Sequence, residues 1–161
     1  MSAVGTRPRA SRVTLREARP EDCRTVWTWR NDPETRQASF DAEVIPFETH
    51  EAWFRESLGG RDRKLFVVVA EGADAGVARL DLVRNRAEVS IHLAPEWRRR
   101  GVGVAALRAL ADLALGAGGL TALVARVKAD NHPSLAVFHK AGFTVTDGGE
   151  IITLTRTRDE R

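Results

Sequence analysis

The feature that most constrains the fold of this chain is a strand, a turn rich in arginine and glycine, and an apolar helix that follow one another in residues 87–112. Apolar and polar residues alternate up to Pro95, as in a half-buried strand, and an Ala/Leu-rich helix is predicted from Gly101 onward. The first N–H groups of a helix are unpaired and lie at the positive end of its dipole. The spacing Arg98-x-x-Gly101-x-Gly103 therefore predicts a cradle for a diphosphate group.

The glycine spacing separates this turn from two other phosphate-binding turns. No Gly-Lys-Ser/Thr follows the glycines, as it does in the nucleotide P-loop. The dinucleotide-binding fingerprint has a different glycine spacing and follows a parallel strand. A plain turn, in which Gly101 and Gly103 only ease the change of chain direction, is the structural alternative.

Two stretches of sequence together carry a family resemblance. The strand residues EVSIHL from Glu88, then PEW and the Arg-x-x-Gly-x-Gly turn, followed by the Ala/Leu helix, resemble the acetyl-CoA motif of the GCN5-related N-acetyltransferase (GNAT) family. The segment NHPSLAVFHKAGF at residues 131–143 resembles that family's other signature, and the two motifs stand in the family's order and at its usual separation along the chain. The resemblance covers about residues 12–156 and implies acetyl transfer from acetyl-CoA to an amine.

The length and composition of the chain fit one enzyme domain. With 161 residues, of which 43% are hydrophobic, we expect a single N-acetyltransferase domain over residues 12–161 behind a disordered tail at residues 1–11. No apolar run reaches the roughly 18 residues of a membrane helix, and no secretory signal is present, so we expect a cytoplasmic protein without a membrane partner. Cys23 is the single cysteine, and no metal-ligand spacing is present, so neither a disulfide nor a metal is expected.

The net charge of +3 comes from the N-terminal tail. Arg7, Arg9 and Arg12 lie in the first twelve residues, which contain no acid, and the rest of the chain carries 22 basic and 22 acidic side chains. A domain with balanced charge lacks the basic footprint that binds a nucleic acid. We therefore expect no nucleic-acid partner.

The pattern of predicted elements indicates an α+β domain with a largely antiparallel sheet. The GNAT resemblance implies the arrangement: a mixed, mostly antiparallel sheet of about seven strands, splayed between strands four and five and flanked by about four helices. Acetyl-CoA would enter the cleft between those two strands. The predicted strands cover residues 13–18, 65–70, 75–83, 87–93, 120–127, 143–145 and 151–155, and the predicted helices cover residues 20–31, 34–39, 47–58, 101–116 and 133–141.

The resemblance also implies which residues hold acetyl-CoA. The fourth strand would pair with the pantetheine arm, the amides of the turn would hold the diphosphate, and one amide of Ile91, His92 or Leu93 would stabilise the oxyanion. Asn131 would bond the pantetheine or the strand edge, or cap the next helix, and these roles are compatible. The expected cofactor-binding residues are Ile91, Leu93, Arg98, Arg99, Arg100, Gly101, Val102, Gly103, Val104, Asn131 and Ser134.

Two residues on one face of the fourth strand are candidates for the general base. Glu88, Ser90 and His92 share that face because side chains alternate along a strand. A Glu at the start of this strand is the common base of the family, so Glu88 is the first candidate. His92, with an ordinary pKa of about 6.5, is the second. The alternatives are that Glu88 pairs with Arg84 or Arg86 and that His92 is a structural hydrogen-bonding group.

The chain contains no tyrosine, although many family members use one as the general acid for the departing thiolate. The matching position here is Phe138. A thiol pKa of about 8.5 makes the thiolate a fair leaving group without full protonation. Ser134 is the candidate catalytic donor, because His139 would face about 100° around the helix from Phe138.

The first helix and the loop after it carry the residues expected to bind the acceptor. The segments WTWRNDP at residues 27–33 and HEAWF at residues 50–54 resemble the UDP-4-amino-sugar N-acetyltransferases. The resemblance implies a small-molecule amine acceptor, a nucleotide-linked amino sugar, with Arg30 and His50 on its diphosphate and tryptophans on its uracil or sugar. The alternative is that the tryptophans are core residues and the turn is structural. The expected substrate-binding residues are Trp29, Arg30, His50 and Trp53.

Two other functions are compatible with the same residues. The first helix with its tryptophans, the Asn-x-x-Ser motif at residues 131–134 and the Gly-Phe sequence at residues 142–143 also resemble the ribosomal-protein alanine N-acetyltransferases. This resemblance would make a protein N-terminus the acceptor. The missing tyrosine permits a catalytically inactive CoA-binding domain. Family members are often dimers, so the resemblance is compatible with a homodimer.

Overall fold

Seven strands form one sheet in the computed structural model, which describes residues 12–117 and 119–158. The predicted tail at residues 1–11 lies outside the described residues. The strands are β1 (Val13–Glu17), β2 (Arg63–Ala70), β3 (Ala73–Val83), β4 (Arg86–Leu93), β5 (Ala122–Lys128), β6 (Thr144–Asp147) and β7 (Ile151–Thr157). Their order across the sheet is β1-β2-β3-β4-β5-β7-β6, and only β4 and β5 pair in parallel.

Five α-helices cover the two faces of this sheet, where the resemblance implied about four. They are α1 (Cys23–Arg30), α2 (Pro33–Ala38), α3 (Phe47–Gly59), α4 (Val102–Ala111) and α5 (His132–Lys140). The core beside α1 and α3 contains Leu65 and Val67 of β2, whereas the core beside α4 contains Phe66 and Val68. Because neighbouring strand residues point to opposite faces, the unbroken apolar run of β2 serves both layers.

The sheet opens between β4 and β5, as the resemblance implied. Residues 86–88 of β4 pair with residues 122–124 of β5, and the described residues beyond that point make no further pairing between the two strands. The parallel strands therefore diverge after Glu88 and leave a cleft. This confirms the predicted GNAT-type sheet.

Beyond Glu88, the backbone N–H groups of every second residue of β4 point into this cleft. Ala94 donates a hydrogen bond to the Ala75 carbonyl just beyond β3, over 2.8 Å. Backbone N–H groups alternate between the two edges of a strand. The amides of Ile91 and Leu93 therefore point away from β3 and into the cleft, whereas that of His92 points toward β3.

The helix predicted over residues 101–116 is divided in the structure. Gly101 precedes α4 with a φ of +79°, and after Ala111 the chain continues as one wider, π-helical turn over Asp112–Ala117. Ala114 and Leu115 are buried in that turn. The apolar face thus runs on through both segments, which explains why the periodicity predicted a single helix.

Two further findings concern membranes and metals. Among the described helices, each is too short or too polar to cross a bilayer. The same part of the chain holds no cluster of three or more His, Cys, Asp or Glu side chains arranged for a metal ion.

Candidate active site

The turn between β4 and α4 presents a row of free backbone amides. This donor loop consists of residues 98–104, and within the described structure the amides of residues 99–104 donate no backbone hydrogen bond. The first bond of α4 runs from Ala105 to the Gly101 carbonyl, over 3.1 Å. A side chain at Gly101 would meet no protein atom within 4 Å, so its Cβ would point into open space. The loop therefore fits a diphosphate that approaches the backbone closely.

The residues of the donor loop differ in exposure. Arg99, Arg100 and Gly101 are exposed, Val104 is half-buried, and Val102 and Gly103 are buried.

The side chain of Arg98 is turned away from this row of amides. Its Nη2 donates to Asp32 Oδ2 over 2.6 Å and to Thr35 Oγ1 over 2.9 Å. Its amide donates to the Pro95 carbonyl over 3.3 Å. The free amides therefore begin at Arg99, and Arg98 contributes an anchor for the loop rather than a charge in the cradle.

Two of the expected residues, Asn131 and Ser134, lie at the start of α5. Asn131 Oδ1 accepts a hydrogen bond from the Ser134 amide over 3.2 Å and so caps the helix. Ser134 precedes Phe138 by four residues and lies on the same helix face. Phe138 is buried and packs edge-on against Phe143, with ring centroids 5.1 Å apart. The position where family members carry a tyrosine is thus a core position here.

Glu88 forms an ion pair at the point where β4 and β5 part. Arg126 of β5 donates from Nε to Glu88 Oε2 over 2.9 Å. The sequence alternative paired Glu88 with Arg84 or Arg86, but the partner comes from the neighbouring strand. The Glu88 side chain is 34% exposed, so its carboxylate is accessible to solvent.

A small pocket lies on the same sheet face, between α1, α3 and the three strands β2 to β4. Its cavity volume is about 10 Å³, which is room for about one water molecule. Cross-strand pairing sets Arg79 opposite Ser90 and Val77 opposite His92, and Arg79 Nη2 donates to Ser90 Oγ over 3.1 Å. The lining residues are Val26, Arg30, Trp53, Leu65, Val77, Arg79, Ser90 and His92.

Three guanidinium groups surround the Trp53 ring in this pocket. Those of Arg30, Arg63 and Arg79 lie 4.8, 5.3 and 5.8 Å from the ring centroid. Asp81 pairs with Arg63 over 2.7 Å and with Arg79 over 3.1 Å. The Arg30 guanidinium forms no ion pair or hydrogen bond with any described residue, and burial, with the Arg79 and Arg63 charges, lowers the pKa of Arg30. The pocket therefore carries excess positive charge, and one of its cations is unpaired.

His92 is neutral in this surrounding. Burial first, and then the charges of Arg30, Arg79 and Arg98, together lower its pKa to about 4. A base this weak accepts a proton poorly from an ammonium group near neutral pH. Of the two candidate bases, the geometry and charge favour Glu88.

Two of the four expected substrate-binding side chains lie in the core. Trp29 is 8% exposed and His50 is 1% exposed. The His50 Nε2 lies 3.0 Å from the Cys23 carbonyl, which can only accept, while its Nδ1 has no hydrogen-bond partner among the described residues. Trp29 packs in the core between α1 and the sheet, and His50 connects α3 to α1. Arg30 and Trp53 are the two that line the pocket.

Sequence reasoning missed four charged residues of this site: Arg63, Arg79, Asp81 and Arg126. A signal was present for two of them, because Arg79 and Asp81 share a face of β3 through the period-two alternation. The register that sets β3 beside β4, and β5 beside Glu88, cannot be read from the spacing of residues along the chain.

One segment crosses the cleft on this face. Arg98, after β4, bonds Asp32, and Lys128, at the end of β5, donates to the Gln37 carbonyl over 3.0 Å. Residues 31–38, the bridging segment, are thus held from both of the diverging strands. They close one side of the cleft.

Sequence comparison connects this geometry to known proteins. A family model described as an acetyltransferase (GNAT) domain matches residues 12–144. Spermidine N(1)-acetyltransferase from Escherichia coli (strain K12) is 26% identical over 141 residues, which cover 86% of this chain and 76% of the relative. Acetyltransferase PseH from Campylobacter jejuni is 24% identical over 132 residues, which cover 81% of this chain and 82% of the relative.

Two solved structures share the fold. Spermidine N-acetyltransferase from Vibrio cholerae, in complex with CoA and spermine, has a TM-score of 0.83 at 18% identity, over 92% of this chain and 96% of the other. Aminoglycoside acetyltransferase AAC(6')-Ib, in complex with coenzyme A and kanamycin, has a TM-score of 0.80 at 16% identity, over 91% and 95% of the two chains. The family match covers most of the chain, including the donor loop. The chain therefore belongs to the GNAT family and is an N-acetyltransferase with acetyl-CoA as its donor, as the two sequence motifs predicted.

Proposed function

We propose that this enzyme acetylates an amine whose molecule also carries negative charge, and that its acceptor is a nucleotide-linked amino sugar. The observation that carries the proposal is the unpaired Arg30 guanidinium, 4.8 Å from the Trp53 ring in the wall of the pocket. A half-buried cation without an acidic partner is unfavourable. A phosphate of the acceptor would compensate it, because a guanidinium binds phosphate through two parallel hydrogen bonds.

The excess positive charge of the pocket argues against a polycationic acceptor. Among the described residues, Asp81 pairs with Arg63 and Arg79, and no carboxylate pairs with Arg30. The Escherichia coli relative is named for spermidine, which is a polycation at neutral pH. The ammonium groups of such an acceptor and the guanidinium groups of the pocket would repel one another in a partly buried site. The described pocket thus favours the opposite sign of acceptor charge.

The size of the pocket limits what it can hold. Its cavity volume of about 10 Å³ is far below the roughly 300–1,000 Å³ of a typical ligand site. It has room for about one water molecule, so a phosphate of the acceptor would lie outside the cavity, beside the partly exposed Arg30. The Trp53 ring already packs against guanidinium groups, so its role is to hold Arg30 in place rather than to stack on uracil.

The arrangement supports direct transfer of the acetyl group. The amine nitrogen bonds to the acetyl carbonyl carbon, the C–S bond breaks, the amine loses one proton and the thiolate gains one. The amide of Ile91 or Leu93 faces the cleft and would stabilise the oxyanion. Glu88 would accept the amine proton, directly or through a water, and Ser134 would donate to the thiolate.

The charge of the pocket also bears on the protonation of the acceptor amine. An amine with a pKa of about 8 is roughly 10% neutral at pH 7, and only the neutral form attacks. Nearby cations disfavour the ammonium form and so lower the pKa of that amine. Arg30 and Arg79 would therefore raise the reactive fraction and lessen the demand on Glu88.

The test is release of CoA thiol with three acceptors: a UDP-4-amino sugar, spermidine and a peptide with an N-terminal alanine. We expect the highest kcat/KM with the UDP-4-amino sugar. Arg30→Met should raise its KM by roughly 10- to 100-fold, because a hydrogen bond to a charged group is lost, and leave the KM for acetyl-CoA unchanged.

The matched control is Arg55→Met, since Arg55 is an exposed arginine of α3 whose ion pair in the described structure is with Glu51. It should change neither KM. Preference for spermidine or the peptide would overturn the acceptor assignment. CoA binding without transfer to any of the three would instead indicate an inactive CoA-binding domain.

A further inference from the structure

Arg98 connects the donor loop to the bridging segment through an enclosed set of hydrogen bonds. Its Nη2 bonds Asp32 and Thr35, and its Nη1 donates to Glu34 Oε1 over 3.2 Å. The side chains of Arg98 and Asp32 are only 16% and 18% exposed. A charged pair with this little solvent contact is screened far less than a surface pair.

The two ends of this connection have different functions. On one side, the Arg98 backbone leads directly into the free amides, and the next residue, Arg99, has a φ of +62°. On the other side, Asp32 begins α2: its Oδ2 accepts from the Thr35 amide over 3.2 Å, and its carbonyl accepts from the Arg36 amide over 2.9 Å. The position of the loop therefore sets the position of the α2 start.

The bridging segment also adjoins the pocket. Arg30 immediately precedes it, and Asn31 fixes the turn by exchanging two hydrogen bonds with Ile45, each 2.9 Å long. A shift of Asp32 would therefore reach Arg30 through two consecutive peptide units. Among the described residues, the hydrogen bonds from the donor loop to the bridging segment all come from the Arg98 side chain.

We propose that Arg98 is a positioning residue that couples acetyl-CoA binding to the order of the bridging segment, and through it to the acceptor pocket. A diphosphate on the amides of residues 99–104 would hold the loop, and the Arg98 guanidinium would then hold Asp32 and the first turn of α2. The coupling rests on the donor site of the proposed function but not on the identity of the acceptor. Because such coupling is reciprocal, an ordered bridging segment would in turn strengthen the binding of acetyl-CoA.

Amide hydrogen exchange of the full-length protein, with and without saturating coenzyme A, tests this directly. In the wild-type protein, coenzyme A should slow exchange of the Thr35 and Arg36 amides by about fivefold or more, the lower range of a typical coupling. Arg98→Met should remove that effect at saturating coenzyme A. Asp32→Asn breaks the connection from the other end and keeps a good capping residue, so it should give the same result.

Lys128→Met is the matched control, because it removes the other tether of the bridging segment and leaves the donor loop untouched. It should retain the effect of coenzyme A on Thr35 and Arg36. If coenzyme A slowed exchange of these amides equally in the wild-type protein, in Arg98→Met and in Asp32→Asn, the bridging segment would be in direct contact with the ligand, and the proposal would be overturned. Calorimetry separates the donor site from the coupling through Arg98. If the wild-type protein does not bind coenzyme A, both are overturned. If it binds coenzyme A but exchange of the Thr35 and Arg36 amides is not slowed, the coupling alone is overturned.

Discussion

Glu88, at the last paired position of β4 and β5, forms a hydrogen-bonded ion pair, 2.9 Å long, with Arg126, two residues further along β5. The pair sits where the two strands begin to diverge, so it places a carboxylate at the narrow end of the cleft. The Arg126 guanidinium also lies 5.4 Å from the ring of Phe40, just beyond the bridging segment. The candidate base is therefore oriented by a neighbouring strand rather than by its own hairpin.

Glu88→Gln should lower kcat/KM by roughly 100-fold or more if Glu88 is the general base. The loss should be greatest at low pH, where more of the acceptor amine is protonated, and should shrink as pH rises and the amine becomes neutral. Thiol-release rates measured between pH 6 and 9 check this. Glu56→Gln, an exposed carboxylate on α3, is the control. A constant ratio of wild-type to Glu88→Gln rates across pH would reject the role.

Gly101→Ala should weaken coenzyme A binding by roughly 10- to 100-fold, because its Cβ would enter the space that the diphosphate needs and one charge-assisted hydrogen bond or more would be lost. Isothermal calorimetry measures this affinity. The substitution should also cost about 1–2 kcal/mol of stability, since a φ of +79° disfavours alanine.

Gly72→Ala separates these two effects. Gly72 lies in the turn between β2 and β3, has a φ of +83°, and has no protein atom within 4 Å of its ideal Cβ, so it shares the backbone strain of Gly101. It should lose similar stability and keep full affinity for coenzyme A. Equal affinity in the two variants would mean that the space above Gly101 is not part of the donor site.

The donor side of the site could be predicted from the sequence because its physics is local. Free amides at the start of a helix, and glycines that admit a ligand, are properties of consecutive residues, and the structure places them in one loop after β4. The alternation along β4 likewise placed Glu88, Ser90 and His92 on one face. The structure adds that only alternate amides, those of Ile91 and Leu93, face the cleft.

The acceptor side could not be predicted to the same extent because it depends on packing between distant elements. The resemblance to the UDP-4-amino-sugar N-acetyltransferases assigned Trp29 and His50 to the acceptor, but the spacing of residues could not tell that both would be buried. The partner of Glu88 depends on β4 meeting β5, 38 residues further along the chain. The charge around Trp53 depends on the register of three strands.

The low pKa of His92 predicts a specific dependence of stability on pH. In the unfolded chain a histidine titrates at about 6.5, whereas in the folded protein the pKa of His92 is about 4. Between these values the unfolded state binds more protons. The free energy of unfolding should therefore be independent of His92 above about pH 6.5 and fall as pH decreases toward 4, by up to about 1.4 kcal/mol per pH unit.

His92→Gln should remove this part of the pH dependence. The pKa of the buried His50 is lowered as well, by burial first and then by the charge of Arg30, so some slope in the same window remains in both proteins. The measurement is urea unfolding of the two proteins at several pH values. A difference in stability between them that is constant from pH 7 to pH 4 would contradict the assigned pKa of His92.

Asn131 has two roles that substitution can separate. Its Oδ1 caps α5 by accepting the Ser134 amide over 3.2 Å, and its Nδ2 has no partner among the described residues, which leaves a donor for the pantetheine arm. Asn131→Ala removes both groups, so it should lose about 1 kcal/mol of stability and also affinity for coenzyme A. Asn131→Asp keeps an oxygen that can cap the helix but has no N–H group. It should keep the stability of the wild-type protein in thermal unfolding and lose affinity in calorimetry. If Asn131→Asp bound coenzyme A as tightly as the wild-type protein, the residue would act through the helix cap alone.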